Sequence, residues 1–209
     1  MQTIGILGGV ASGKSLVARQ FAEMGAGMLD ADRAAHHVLD DPEVRVALRQ
    51  RWGQSVFCRN GQVDREKVAE IVFAPSPEGT IARQFLEGLT HPRIAQRLAA
   101  DRKELEARKY RAAVLDAPLL LEAGWDKLCN SLVFVDALRE LRITRAAARG
   151  WTEQDVARRE AAQMPLEAKR ARADVIIDNS GTPQQTRAQV EHFWVLLVEQ
   201  DNPPLSPSA

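Results

Sequence analysis

Residues 5–15 read GILGGVASGKS, four glycines and a lysine behind the short apolar run TIGIL (Thr3–Leu7). Gly8, Gly13, Lys14 and Ser15 fit GxxxxGK[ST], a spacing with a physical purpose. Glycine lets the backbone take positive φ and approach a ligand with no Cβ in the way. Successive N–H groups then turn inward as a nest for phosphate oxygens. A following helix adds its unpaired N–H groups and its positive end. Lys14 can neutralise β- and γ-phosphate charge, and the Ser15 hydroxyl can ligate Mg²⁺. The bland alternative is a glycine turn with an incidental lysine, but a strand before and a helix after are both written in the sequence.

Working outward, KSLVARQFAEM (14–24) places Val17, Phe21 and Met24 at helical spacing, and Gly25 and Gly27 stop that helix. GMLDAD (27–32) reads as a second strand ending in acids, expected beside the first. In an extended segment Asp30 and Asp32 share a side. Strand, glycine turn, helix, strand opens a doubly wound α/β sheet. Strand texture returns in AAVLDAP (112–118), SLVFVDA (131–137) and ADVIIDNSG (173–181), so five parallel strands flanked by helices are predicted. The texture between differs. Residues 34–111 read as a mostly helical insertion: PEVRVALRQRW with Pro42 in its first turn, VDREKVAEIVF capped by Asp64, and a third helix starting at His91-Pro92. The predicted organisation is a core of 1–33 and 112–200, the insertion 34–111, and a disordered tail over 201–209.

Composition excludes several classes. Lys+Arg and Asp+Glu are equal at 28 each in 209 residues, a balance that disfavours bulk nucleic-acid binding. Cys58 and Cys129 form no CxxC and no disulfide framework, which suits reduced thiols in the cytoplasm. No run approaches a membrane span, and no basic segment precedes the first apolar stretch. No lysine is followed two residues later by aspartate, so the base-reading motif of a GTPase is missing. A small kinase fits the length. Asp32, at the carboxyl edge of the sheet, could take the proton of an attacking hydroxyl, or merely cap the helix RAAHHVL.

GILGGVASGKSL with Asp30-Ala31-Asp32 resembles the opening of the dephospho-coenzyme A kinase family, GLTGGIGSGKST followed by DAD. The matches VDR (63–65), IVF (71–73), LTHPRI (89–94), APLLLE (117–122) and ADVIIDNSG (173–181) follow in order along nearly the whole chain. The resemblance implies a P-loop kinase core that moves the ATP γ-phosphoryl to the ribose 3′-hydroxyl of dephospho-CoA, with Mg²⁺. It implies Asp32 as general base, the insertion as the CoA-side domain and 138–172 as a helical lid. The loop Gly8, Gly9, Val10, Ala11, Ser12, Gly13, Lys14, Ser15 and Leu16 would hold the nucleotide, with Ser15 on the metal.

Three residues depart from that pattern: Leu7 stands for a threonine, Ala11 for a loop glycine and Leu16 for a second hydroxyl. Ala11 is expected at negative φ. Arg142, Arg145 and Arg149 fall at i, i+3, i+7, one face of a helix that is either a lid bringing guanidinium groups to the triphosphate or a solvated surface. With the resemblance, Arg145 and then Arg149 are the lid candidates; Lys169, Arg170 and Arg172 read as surface or hinge charges. Asp116 ends its strand as a metal-holding acid would, or as a plain turn. Asn179 and Gly181 stand where an adenine ring could meet the main chain. His91, Arg65 and Leu119 are candidate dephospho-CoA contacts, His91 reading equally as a buried helix-start residue. The rival functions are another nucleoside or metabolite kinase on this core, and a nucleotide-binding regulator without transfer chemistry. Nothing in the sequence sets the oligomeric state.

Overall fold

A computed structural model describes residues 1–201, with side chains described through Leu197. Residues 1–30 and 101 onward form one compact unit, and residues 31–100 another.

The first unit is built on five parallel strands: β1 (Gln2–Gly8), β2 (Ala26–Leu29), β3 (Ala112–Asp116), β4 (Ser131–Asp136) and β5 (Val175–Asp178). Their order is β2-β3-β1-β4-β5, which puts β1 at the centre. The second strand is therefore not beside the first, as the sequence suggested; β3 lies between them. Residues Ala112–Leu115 of β3 are fully buried, and an unbroken apolar run belongs in a sheet covered on both faces. Helix α1 (Lys14–Glu23) covers one face together with α9 (Pro183–Asp201). Phe21 of α1 meets Phe193 edge-on at 5.9 Å and Trp194 at 6.2 Å, over a core of Ile4, Ile6, Val114, Val133, Val135 and Ile177. Completely burying one such side chain contributes about 1.5–3 kcal/mol.

Register brings the carboxyl ends of the strands to one edge. Ile6 pairs with Asp116, Leu29 with Leu115, and Asp136 with Asp178. Strands β2 to β5 are shorter than the runs that announce them, and β2 stops at Leu29. Helix α2 (Ala31–Asp40) begins at once and takes Asp32 into its first turn. Asp30 and Asp32 therefore do not share the side of one extended segment.

The second unit holds α2, α3 (Pro42–Trp52), α4 (Arg65–Val72) and most of α5 (Pro77–Ala107). Pro42 is the first residue of α3, where its missing N–H costs nothing. Asp64 caps α4 by accepting from the Lys67 N–H at 3.3 Å. The helix expected to begin at His91-Pro92 instead runs unbroken for 31 residues, with Pro92 inside it. Pro92 leaves the Gly88 carbonyl without its helical donor. Neighbouring side chains reinforce the ladder there: Thr90 donates to the Leu86 carbonyl and Arg93 to that of Leu89, both at 2.8 Å.

In the first unit, α6 (Arg139–Ala147), α7 (Glu153–Ala161) and α8 (Leu166–Ala171) follow β4. Gly150, at φ 77°, ends α6 and leaves Arg149 beyond it. The three arginines therefore do not form one helical face. No helix among the described residues is long and apolar enough to cross a membrane. The tail expected over 201–209 lies outside the described residues except for Asp201, the last residue of α9.

Candidate active site

The glycine loop leaves the central strand at Gly8 (φ 147°) and enters α1 through Gly13 (φ 101°). A Cβ on Gly8 would stand 2.6 Å from the Val135 carbonyl, so only glycine fits there. Ala11 takes φ 58°, against the expectation of a negative value. The loop needs a left-handed residue at that place to turn its amides, and alanine adopts it at a strain of about 1–2 kcal/mol. Ser12 is buried, and its hydroxyl has no hydrogen-bond partner among the described residues. An orphaned hydroxyl in a bed of turned amides suits a phosphate oxygen.

Side chains from distant elements hold the loop's carbonyls. Arg142, buried in α6, reaches the Val10 carbonyl at 3.4 Å and pairs with Glu160 of α7. Arg145 donates to the Ser12 carbonyl at 3.3 Å and to the Asn179 carbonyl at 2.8 Å. Lys14 bonds the carbonyls of Gly8 at 3.1 Å and Gly9 at 2.9 Å. Burial pushes the Lys14 ammonium down to about 8. Asp116 works against that shift, while the charges of Lys169, Arg149 and Arg142 add to it. A lysine this short of negative charge is matched to an anionic ligand.

Ser15, at the start of α1, donates to the Asp116 carboxylate at 2.8 Å. A hydroxyl beside a carboxylate, both hard oxygen donors, is the set that Mg²⁺ takes when phosphates and water complete its shell.

The remaining candidates are spread over both units. Val10 is buried, and Leu16 is half-buried in the first turn of α1. Arg149 is exposed just past α6, near enough for its charge to be felt at Lys14. Asn179 is buried with its side chain bonded to the loop, while Gly181 is exposed in the turn before α9. Leu119 is half-buried in the turn after β3. In the second unit, Asp32 is exposed in α2, Arg65 is exposed at the first position of α4, and His91 lies within α5. Desolvation lowers the pKa of His91, with Glu87 opposing.

Sequence reasoning missed Lys169. Expected as a surface or hinge charge, it is 2% exposed. Its ammonium meets Glu122 at 3.0 Å, the Pro118 carbonyl at 3.1 Å and the Gln163 side chain at 3.0 Å. Glu122 also accepts from the Met164 N–H at 2.6 Å. The Glu122 that ends APLLLE was the available signal; its partner is far off in the chain.

A central-strand phosphate loop, an acid ending the adjacent strand and a parallel sheet with helices on both faces define a P-loop kinase. A crystal structure of a Thermus thermophilus protein superposes with a TM-score of 0.77 at 30% identity, covering 93% of this chain and 96% of that one. The dephospho-CoA kinase from Campylobacter jejuni shares the fold, with a TM-score of 0.70 at 23% identity, over 96% of this chain and all of that one (100%). The chain belongs to the dephospho-CoA kinase family, whose model matches residues 2–185. A curated dephospho-CoA kinase from Geobacter sulfurreducens is 36% identical over 196 residues, 93% of this chain and 98% of that protein.

Proposed function

We propose that the chain transfers the γ-phosphoryl group of ATP to the ribose 3′-hydroxyl of dephospho-CoA, giving CoA and ADP, the last step of coenzyme A biosynthesis. The observation that carries this reading is the loop: turned amides, the orphaned Ser12 hydroxyl and a lysine held down to about 8, in a chain matched to this family over residues 2–185. The amides of Gly9–Lys14 bind and orient the triphosphate, and Lys14 offsets the charge that spreads over the transferred oxygens. Ser15 and Asp116 are the residues that would hold Mg²⁺, which would supply neutralising positive charge to the phosphates when bound. Asp32 accepts the proton of the 3′-hydroxyl as its oxygen bonds to phosphorus and the bond from phosphorus to the ADP oxygen breaks. Arg145 and Arg149 add positive charge on the nucleotide side, with Asn179 and Gly181 at the adenine end.

Residues 138–172 are proposed to close over ATP, and the helices around Arg65 and His91, with Leu119, to serve dephospho-CoA. The two unpaired thiols suit a cytoplasmic enzyme. The test is ADP release measured with ATP and Mg²⁺ across dephospho-CoA, nucleosides and small hydroxy acids. Selective turnover of dephospho-CoA is expected. Equal rates with another acceptor would overturn the substrate, and no acceptor-dependent rate would overturn the chemistry.

A further inference from the structure

Asn179 follows β5 directly and is 2% exposed. Its side-chain nitrogen stands 2.7 Å from the Ser12 carbonyl, an atom that can only accept. That contact fixes which way the amide faces, so the side-chain oxygen is the end that accepts, at 2.8 Å, from the hydroxyl of Thr186. Thr186 is fully buried near the start of α9. A directional relay therefore runs from α9 through the end of β5 to the phosphate loop, across positions 186, 179 and 12.

We propose that Thr186 and Asn179 are positioning residues for nucleotide binding, which lock the Ser12–Gly13 peptide with its N–H turned to the phosphate side. The peptide is planar and trans, so its C=O and N–H point in opposite directions. Holding the carbonyl on Asn179 aims the Gly13 N–H the other way. The lock is needed because Gly13 has no Cβ and sits at φ 101°. A glycine that permits the nest also permits the flipped peptide, which would present a carbonyl oxygen to an anion. The Ser12 carbonyl sets the facing of the amide, and the Thr186 hydroxyl, donating to its oxygen, holds the Asn179 side chain in the position that reaches that carbonyl. Arg145 supports the same carbonyl from a longer 3.3 Å.

The inference rests on the reading of the loop as a nucleotide-phosphate site, and direct binding tests it apart from turnover. Thr186→Val keeps the shape and removes the hydroxyl; Thr186→Ser keeps the hydroxyl. ADP and ATP affinities are measured by calorimetry, KM is measured for both substrates, and hydrogen exchange of the loop amides is followed without ligand. Thr186→Val is expected to weaken nucleotide binding about 5- to 30-fold, the scale of one or two kcal/mol in a buried hydrogen bond. It should leave the dephospho-CoA KM within about twofold and speed exchange at Gly13. Thr186→Ser should restore nucleotide affinity to within about threefold. Wild-type nucleotide affinity in Thr186→Val, or equal loss with valine and serine, overturns the proposal. If the valine variant does not fold, Asn179→Asp decides. It keeps an acceptor for Thr186 but loses the donor to Ser12, and unchanged ADP affinity there overturns the proposal as well. A wild-type protein that binds ADP yet transfers nothing to dephospho-CoA would overturn the proposed function and leave the relay standing.

Discussion

Replacing Gly13 with alanine adds one methyl group and should disturb the backbone and the relay together. At φ 101° an L-residue is strained, by about 1–2 kcal/mol. The new Cβ would stand 2.0 Å from the Asn179 side-chain nitrogen and 3.3 Å from its Cγ. Asn179 is buried and bonded at both ends of its amide, so it cannot swing aside freely. Displacing it breaks the buried bonds to the Ser12 carbonyl and the Thr186 hydroxyl and leaves them only longer contacts, from Arg145 at 3.3 Å and to the Thr182 carbonyl at 3.4 Å, at about 1–3 kcal/mol. The sum is about 2–5 kcal/mol. Gly25 supplies a matched control, with φ 103° and nothing within 4 Å of its Cβ position. Gly25→Ala should carry only the backbone strain, about 1–2 kcal/mol. Urea unfolding of both variants without nucleotide measures the difference directly. Gly13→Ala should be the less stable by about 1–3 kcal/mol and should also bind ADP more weakly. If the two variants unfold alike, Asn179 yields without loss and the packing behind the loop is not rigid.

Lys14 gives a pH dependence. Its charged form attracts the anion, and a bound anion raises its pKa. Nucleotide affinity should therefore be full below about 8 and fall as pH rises through that value, by up to about tenfold per pH unit. Titrations from pH 7 to 9.5 should show the bend, and Lys14→Arg should flatten it. Asp32→Asn should cut turnover about 10²- to 10⁴-fold while ADP affinity stays near wild type; unchanged turnover removes Asp32 from the reaction. Burial pushes the Cys129 thiol up to about 12, whereas Cys58 is exposed. An aromatic disulfide reagent should find one fast thiol in the native protein and the second only on unfolding.

Much of the fold was legible because its signals are local. The glycine spacing, the apolar runs, Pro42 at the start of α3 and the Asp64 cap lie within a few residues of what they specify. Strand order was not local: β3 enters between β2 and β1 from more than 80 residues away, and only the completely apolar AAVL hinted at a central place. The Ser12 contact to Asn179 spans 167 positions and the Lys169 contact to Pro118 spans 51, so no periodicity reveals either. Ala11 takes the φ that its residue type disfavours because the loop demands a left-handed residue there, a demand that residue type does not show. Pro92 signals a helix start locally, and composition cannot show that α5 continues through it.

The central claim is a single transfer, from the triphosphate on the Gly8–Ser15 loop to one hydroxyl of dephospho-CoA. Phosphorus-31 NMR of a reaction containing the protein, ATP, Mg²⁺ and dephospho-CoA reads both the donor and the position of the new ester. Loss of the γ-phosphorus signal should be matched one for one by a new phosphomonoester on the ribose 3′-oxygen. Inorganic phosphate in place of that ester, or an ester at another position, would contradict the account.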